Sequence, residues 1–175
     1  MLKLSEAIID IPVLSLRAGN QVGTATELII NPNNLKIEGW YVHDRFGSKK
    51  LILLSSDVRE LSSRGLIIND QEVLSETEEL VRLKPIIEIG FILIGKQVVS
   101  QSGRKYGKVT DFAAETESLL IKKIYAGQSI IKNLTGGSTS IDRTQVIEIT
   151  NTKIIIEDPT EKASERAVAA SPVNS

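Results

Sequence analysis

The sequence predicts an all-β protein built from two small β-barrels in tandem, related by internal duplication and joined by a short connecting helix. Two observations favour this fold class. One long stretch of the chain occurs twice, and internal repeats outrank other sequence signals when a fold is assigned. The core must also be aliphatic, because aromatic residues make up only 4% of the chain. Isoleucine- and valine-rich segments favour strands with a packed face.

The repeat has two parts. Residues 22–42 align without a gap on residues 106–126 at a shift of 84, and residues 54–70 align on residues 142–158 at a shift of 88. Two ungapped blocks in the same order indicate a duplicated unit with four extra residues in the second copy. The identical pairs of the first block are Gly23/Gly107, Thr26/Thr110, Leu35/Leu119, Ile37/Ile121 and Tyr41/Tyr125.

Each copy of the first block predicts a long β-hairpin. Residues 31–34 (Asn-Pro-Asn-Asn) join its arms in copy one, because proline presets φ and asparagine tolerates the left-handed region. Residues 115–118 join the arms in copy two. On the second arm, the alternation of apolar and polar residues predicts one buried face. That face carries Leu35, Ile37 and Tyr41 in copy one, and Leu119, Ile121 and Tyr125 in copy two.

Short strands broken by turn residues complete copy one and indicate a small antiparallel barrel or sandwich. The predicted elements, in chain order, are a helical turn capped by Ser5 at 4–9, strands at 12–16 and 49–54, a turn or 3₁₀ segment at 55–57, and a closing hairpin at 58–61 and 65–69.

The segment between the copies predicts a short helix that begins after Ser75 and is ended by Pro85. The apolar run that follows, residues 86–93, is too hydrophobic for a solvated linker. We expect it to pack against a barrel or to join the two barrels rigidly. The predicted organisation is a first barrel at 1–74, the connecting helix and apolar linker at 75–94, a second barrel at 95–158 and a flexible tail at 159–175.

The tail has almost no large apolar side chains, so it has little hydrophobic burial to offset the entropy of ordering. A weak helix over residues 164–170, induced by a partner, is the alternative for this segment. The N-terminal residues lack an apolar stretch behind a basic start, and the longest apolar run is too short to span a bilayer. These patterns predict a cytoplasmic protein.

Composition narrows the chemistry available to the chain. It contains no cysteine, which excludes disulfides, thiolate metal sites and thiol catalysis. The net charge is −1, so a strongly basic nucleic-acid footprint is absent. His43 is the single histidine. Beside Asp44 it could be a general base, but with no second histidine a solvated loop residue is the better interpretation. The sequence predicts no enzyme activity and no cofactor.

The repeated unit resembles the PRC-barrel domain. The resemblance rests on a strand, a Gly-x-x-x-Gly turn, a hairpin, the segments DV-x-E or QV-x-E, and a final strand, LIIND or IIIED. It covers residues 4–158, and the linker is similar to that of tandem bacterial and archaeal members. The family includes the cytoplasmic domain of the photosynthetic reaction-centre H subunit, the C-terminal half of a ribosome-maturation factor and small archaeal proteins linked to cell division. The resemblance implies a barrel that binds proteins, and it supplies no catalytic residues.

Two features are candidates for contact with a partner. Trp40 and Tyr41 are adjacent on a predicted strand, so one of them should point outward, although the alignment of Trp40 with Ile124 also fits a core position. Basic residues cluster around Tyr106 at the start of the second hairpin, where they could bind RNA or an acidic protein. A solvated turn that protects a strand edge is the alternative. The basic cluster consists of Arg104, Lys105 and Lys108.

The sequence therefore predicts a non-catalytic adaptor that binds a protein partner through barrel faces or loops. The alternative is an RNA- or ribosome-associated assembly factor that uses the basic cluster of the second barrel. Exposed strand edges also make self-association plausible.

Overall fold

The computed structural model describes residues 1–127 and 137–158 and confirms an all-β fold with one short α-helix in this part of the chain. The first sheet has the spatial order β5-β4-β3-β2-β7-β6. Its β2–β7 pair is parallel, and the neighbouring pairs are antiparallel. The strands are β1 (Leu2–Leu4), which precedes this sheet, and then β2 (Ile11–Ser15), β3 (Asn20–Asn31), β4 (Lys36–Asp44), β5 (Lys50–Leu54), β6 (Val58–Ser62) and β7 (Gly65–Ile68).

The second sheet repeats the first in strand order. Its order is β11-β10-β9-β8-β13-β12, and its β8–β13 pair is parallel, as β2–β7 is. Six strands of one sheet therefore correspond one to one with six strands of the other, which confirms the predicted duplication. These strands are β8 (Gln97–Ser100), β9 (Lys105–Glu115), β10 (Ile121–Gly127), β11 (Thr139–Asp142), β12 (Val146–Ile149) and β13 (Lys153–Ile156).

β-Bulges recur at matching positions of the two hairpins. Thr26 in β3 and Thr110 in β9 have no partner in the register, and the same is true of Glu38 in β4 and Lys122 in β10. An extra residue in one strand of a pair shifts which side chains face the core. After the bulge at Glu38, the predicted alternation of buried and exposed side chains is therefore wrong. Tyr41 is only half-buried, whereas Val42 is fully buried.

The bulge directs Trp40 into the core, where it has 0% exposure, and its indole Nε1 donates a 2.9 Å hydrogen bond to the carbonyl oxygen of Ile8. Trp40 is paired in register with Leu28. In the second sheet, the equivalent pair is Phe112 with Ile124. The aromatic ring thus lies on one strand of the hairpin in the first half and on the other strand in the second half.

In each hairpin turn, one leucine has the left-handed backbone conformation. Leu35 has a φ of 54° and Leu119 a φ of 55°, whereas the sequence predicted that an asparagine would occupy the left-handed position. A left-handed conformation costs an L-residue about 1–2 kcal/mol. Both leucines are buried, and burial of a leucine side chain stabilises by about 1.5–3 kcal/mol. Hydrophobic burial therefore offsets the backbone strain.

The two halves meet at these leucine turns. Ile37 N donates to Leu119 O, and Ile121 N donates to Leu35 O, each at 2.9 Å. The bonds flank an antiparallel bridge between Lys36 and its own equivalent, Leu120. The halves are thus related by an approximate two-fold axis. One cluster of buried apolar residues extends through both of them, so the core is continuous.

The linker differs from its prediction. Residues predicted as a helix after Ser75 form a 3₁₀ turn at Thr77–Glu79, and α1 spans Lys84–Ile89. Pro85 lies in the first turn of α1 and begins the helix instead of ending it, because its missing N–H and fixed φ suit that position. Gly90 ends α1 at a φ of 58°. Ser75 is not the cap, because Glu76 is the residue that precedes the 3₁₀ turn, and the backbone of Ser75 pairs with that of Ile52.

The segment that precedes each sheet packs against the other sheet. β1, at the chain's start, pairs antiparallel with β9 of the second sheet, with Leu4 opposite Ala113. The Ser5 amide and hydroxyl then both donate to the Asp111 carboxylate. In the other direction, α1 precedes the second sheet and packs on the first one, against β3. The helices in residues 1–127 and 137–158 are all too short or too polar to cross a bilayer.

Candidate protein-binding surfaces

Trp40 is not a surface residue. It has no exposed area, its single polar atom is hydrogen-bonded within the chain, and it packs in the central cluster. The prediction that Trp40 contacts a partner is therefore wrong, and the alternative interpretation, a core position equivalent to Ile124, is the one that the structure shows. The bulge at Glu38 shifts the alternation of core-facing and outward-facing side chains by one residue. Tyr41, and not Trp40, therefore points outward.

The basic cluster lies at the start of β9, where the sequence placed it. Arg104, Lys105 and Lys108 are exposed. The Arg104 guanidinium stands 5.3 Å from the centre of the Tyr106 ring, an arrangement that allows a cation–π contact. Tyr106 itself is half-buried and packs against the core cluster. Its ring serves packing, and it is not free to stack on a base.

Nearby carboxylates offset part of the positive charge of the basic cluster. Hydrogen bonds from the Ser100 and Ser102 hydroxyls, together with the nearby Arg104 charge, lower the pKa of Asp158 below its ordinary value. One strand along, Lys122 Nζ lies 4.0 Å from the Glu115 carboxylate. The surface therefore mixes both signs of charge, which is a weak match for a polyanion.

The linker forms a second surface that the sequence did not identify as a binding site. Ile86 and Ile87 of α1 pack with Leu83 against the outer face of the first sheet, at Ile29 and Tyr41. This packing confirms that the apolar run lies against a barrel. Three other aliphatic side chains of the segment are at least half exposed, however, at 77%, 50% and 71%. We define the linker surface as these three residues, Val81, Ile89 and Ile92.

A groove of about 230 Å³ lies between α1 and β3, and we call it the linker groove. Its walls are mostly apolar, and Ile92 of the linker surface forms part of them. At one side, Lys50 Nζ is 2.9 Å from the Glu27 carboxylate and 4.2 Å from the centre of the Tyr41 ring. The remaining lining residues are Leu28, Ile29, Ile30, Ile86, Ile87, Gly90 and Phe91.

A larger groove, of about 780 Å³, lies where residues 79–86 pass over the ends of β3, β4 and β5. Asn31, Lys36 and Glu38 line one side, and Val81 and Ile86 line the other. Ile86 lines both grooves, so the two grooves adjoin at α1. Val81 lines the larger groove, and Ile92 lines the linker groove.

The difference between the two sheets explains why the linker covers only the first one. On the outer face of the first sheet stand Ile29, Tyr41 and Ile52, which need apolar cover. The equivalent residues of the second sheet are Ala113, Tyr125 and Ser140. The smaller and more polar set has less apolar area to remove from water. The sequence alignment contained part of this signal, because its first block pairs Ile29 with Ala113 and Tyr41 with Tyr125. The equivalence of Ile52 and Ser140 follows from the strand registers, in which they lie opposite Tyr41 and Tyr125.

His43 and Asp44 do not form an acid–base pair in this structure. The Asp44 carboxylate caps the loop after β4 by accepting hydrogen bonds from the amides of Ser48 and Lys49, at 2.8 and 3.2 Å. These bonds, that of Lys49 first, lower the pKa of Asp44. His43 pairs along the sheet with Thr24 and Lys50. Among the described residues, no group of three or more histidine and carboxylate side chains is placed to hold a metal ion.

Neither a scan against protein-family models nor a search of the curated proteins finds a match to this chain.

Proposed function

We propose that this chain is a non-catalytic, cytoplasmic protein-binding module, and that its partner docks on the linker surface. The observation that carries the proposal is the exposure of large aliphatic side chains around a groove. Val81, Ile89 and Ile92 are each at least half exposed, and Ile92 lines the linker groove. Scattered exposed apolar residues are ordinary, but exposed apolar residues that line grooves, as Val81 and Ile92 do, support an interaction site.

The fold supports this proposal through rigidity. α1 is held against the first sheet by Leu83, Ile86 and Ile87, so the exposed residues of the same segment are presented from a fixed position. A preorganised surface loses less side-chain and loop entropy on binding than a mobile one. The PRC-barrel resemblance of the sequence leads to the same proposal, because it implies a protein-binding barrel.

Affinity capture of the full chain followed by mass spectrometry tests the proposal. We expect nuclease-resistant protein partners that are lost with Ile89→Lys/Ile92→Lys, because a charge at each position would have to be desolvated on docking. The matched control is Ile147→Lys, since Ile147 is also exposed, at 46%, but lies on β12. Partners that survive the double substitution, or an absence of partners, would refute docking on the linker surface.

RNA binding through Arg104, Lys105 and Lys108 remains the alternative. The observation in its favour is that all three cations are exposed on one short stretch of chain. In the same capture experiment, recovery of ribosomal proteins that disappears after nuclease treatment would support the alternative and contradict the adaptor proposal.

A further inference from the structure

The loop between β4 and β5 carries the most exposed aromatic side chain of the described residues. Phe46 lies in this loop, which spans residues 45–49, and is 88% exposed. An isolated exposed apolar residue is ordinary on a protein surface. Phe46 differs because it also stands at the rim of a separate groove, which we call the loop groove.

Hydrogen bonds fix the backbone of this loop. The Asp44 carboxylate caps it through two backbone amides. Gly47 N donates to Asp44 O at 2.9 Å, and Arg45 N donates to Val22 O at 3.1 Å. The turn needs a φ of 68° at Gly47, a conformation that glycine adopts without steric cost. Phe46 is therefore presented from a preorganised turn, so that less entropy is lost when its ring is bound.

The loop groove lies between this loop and the segment at residues 71–74 that follows β7, and its volume is about 470 Å³. Pockets of about 300–1,000 Å³ hold small-molecule ligands, so an aromatic side chain fits inside this one. Val22, Leu51 and Leu74 line the groove, and Leu51 and Leu74 are only half-buried. A ring placed there would remove apolar area from water on both sides of the contact.

Two opposite charges flank the apolar part of the loop groove. Arg45 and Glu72 both line it and are exposed. Neither side chain has an ion-pair partner among the residues that the structure describes. Arg45 directly precedes Phe46, so a molecule that accepts the ring also meets a positive charge. One surface therefore carries two complementary features: a projecting ring beside a cation, and an apolar groove beside an anion.

We propose that this surface binds a second copy of the chain through a two-fold symmetric contact. Each Phe46 enters the loop groove of the other copy and packs on its Leu51 and Leu74. Each Arg45 then faces Glu72 of the other copy. Ring and groove lie side by side on one surface, as a symmetric contact requires, because every residue pair in it occurs twice.

The proposed contact is separate from the linker surface. No residue that lines the loop groove also lines either groove beside α1. One loop and one groove per chain form a contact that is small beside the roughly 1,200–2,000 Å² of stable interfaces. Aromatic residues dominate such contacts, since each ring buries about 150–250 Å². We therefore expect a weak, reversible dimer whose chains keep the fold described above.

Sedimentation equilibrium of the full chain tests the proposal. The dimer fraction should increase as the chain concentration approaches about 1 mM. Phe46→Ala should weaken the dimer about a hundredfold, because two rings are lost and each contributes about tenfold. The substitution should leave the fold intact, since the Phe46 side chain is 88% exposed. The control is Ile147→Ala on β12, which also shortens an exposed apolar side chain and should leave the dimer unchanged.

Exchange of the two charges identifies the contact. At low ionic strength, Arg45→Glu and Glu72→Arg should each weaken the dimer at least about threefold, because like charges then meet. An equimolar mixture of the two variants should form a mixed dimer, in which opposite charges face each other at both positions. The chain with both substitutions should also recover self-association. A pair within one chain cannot restore association in a mixture of single variants, so this recovery is specific for contact between copies.

NMR contacts between isotopically labelled and unlabelled chains give direct evidence. In a mixed sample, nuclear Overhauser effects should connect the Phe46 ring of one chain with the Leu51 and Leu74 methyl groups of the other. Ring–methyl contacts that occur only within one chain would show that Phe46 closes over its own groove, and they would overturn the proposal.

Three further outcomes would also contradict the symmetric contact. These outcomes are a chain that stays monomeric at about 1 mM, a dimer that Phe46→Ala does not weaken, and a mixture of charge variants that associates no better than either variant alone. A dimer insensitive to Phe46 would show that another surface, such as a strand edge, joins the copies. The proposed docking function has a separate readout, because capture of partners through Ile89 and Ile92 does not require dimerisation.

Discussion

Lys36 and Leu120 lie opposite each other where the two halves meet, and each occupies the same position of its own repeat. The pair is flanked by two equivalent hydrogen bonds, Ile37 N to Leu119 O and Ile121 N to Leu35 O. A contact in which a residue faces its own equivalent is the geometry of a two-fold symmetric dimer. The chain therefore has the architecture of a symmetric dimer made within one polypeptide.

Cross-linking tests this contact. The flanking bonds place Lys36 and Leu120 at a position without direct hydrogen bonds between them, where Cα atoms of antiparallel strands are about 4.5 Å apart. That separation falls within the range of disulfides. We expect Lys36→Cys/Leu120→Cys to oxidise to an intramolecular disulfide and to stabilise the protein by about 4 kcal/mol, because it closes a long loop.

Mass spectrometry and non-reducing electrophoresis would detect the bond, and thermal unfolding with and without reductant would measure the gain. The chain has no natural cysteine, so each introduced thiol is unambiguous. Lys36→Cys alone is the control for cross-links between molecules. A double variant that remains reduced under oxidising conditions would contradict the two-fold contact.

The aromatic residue is Trp40 in the Leu28/Trp40 pair of the first half, but it is on the opposite strand, as Phe112, in the equivalent Phe112/Ile124 pair. This exchange predicts that substitutions at Leu28 and Trp40 are coupled in their effects on stability. Trp40→Ile should cost about 3–5 kcal/mol, because it opens a cavity and removes the hydrogen bond to Ile8. Leu28→Phe should cost about 1–3 kcal/mol by overpacking. In the double variant, which copies the second half, the new ring partly fills the cavity, so we expect about 0.5–3 kcal/mol of favourable coupling.

Chemical denaturation of the wild type and the three variants gives this coupling from a double-mutant cycle. Strictly additive losses would show that Leu28 and Trp40 do not share packing space, despite their pairing in the register. Trp40 is the single tryptophan, so variants that lack it would be followed by circular dichroism.

Acid should destabilise the protein through two equivalent aspartates. The hydrogen bond from Arg17 lowers the pKa of Asp70, and those from Ser100 and Ser102 lower the pKa of Asp158. A carboxyl group with a lower pKa in the folded state stabilises it above the unfolded pKa, about 3.9, and this contribution is lost as the pH falls through the folded value. We expect the wild-type melting temperature to fall in that range.

Asp70→Asn/Asp158→Asn should have a lower melting temperature than the wild type at pH 7 and a smaller decrease between about pH 5 and pH 3. Hydrogen bonds also lower the pKa values of Asp44, Glu115 and Asp142, so part of the decrease should remain. Glu78→Gln, at an exposed position, is the control. A decrease as steep in the double variant as in the wild type would contradict these roles.

Charge reversal separates the two candidate functions. Arg104→Glu/Lys105→Glu/Lys108→Glu should leave protein capture by the linker surface unchanged, because none of these residues lines the grooves beside α1. The same variant should abolish any RNA retention, since phosphate contacts supply nearly all non-specific affinity. Filter binding with labelled RNA at two salt concentrations would measure it. Loss of protein partners in this variant would show that the basic cluster is the docking site.

Local patterns predicted much of the fold. The repeat gave the correct correspondence of strands, because the bulges at Thr26 and Thr110 fall at identical residues of the alignment. Ser55–Asp57 is the 3₁₀ segment that was expected, and strands β6 and β7 form the predicted closing hairpin. These features depend on turn residues and alternation within a few positions, which the sequence shows directly.

The errors arose where distant contacts decide the structure. The bulge at Glu38 has no sequence signal of its own, so the orientation of Trp40 and Tyr41 was assigned wrongly. Pro85 was assigned to the end of a helix because a proline stops a preceding helix as readily as it begins a following one. The pairing of Leu4 with Ala113 joins residues far apart in the chain, and no local pattern encodes it. The proposed linker surface also depends on long-range packing, because Ile86 and Ile87 are held against Ile29 and Tyr41.

The reciprocal crossover of β1 and α1 has a consequence for stoichiometry. A dimer of identical subunits would present two equal recognition sites and would recruit ligands in pairs. Here a strand from the start of the chain covers one half, while a helix from the linker covers the other, so the two halves present different surfaces. Each molecule should therefore recruit a single ligand in a fixed orientation. The two fused halves share a symmetric framework, but only one of them presents the ligand site.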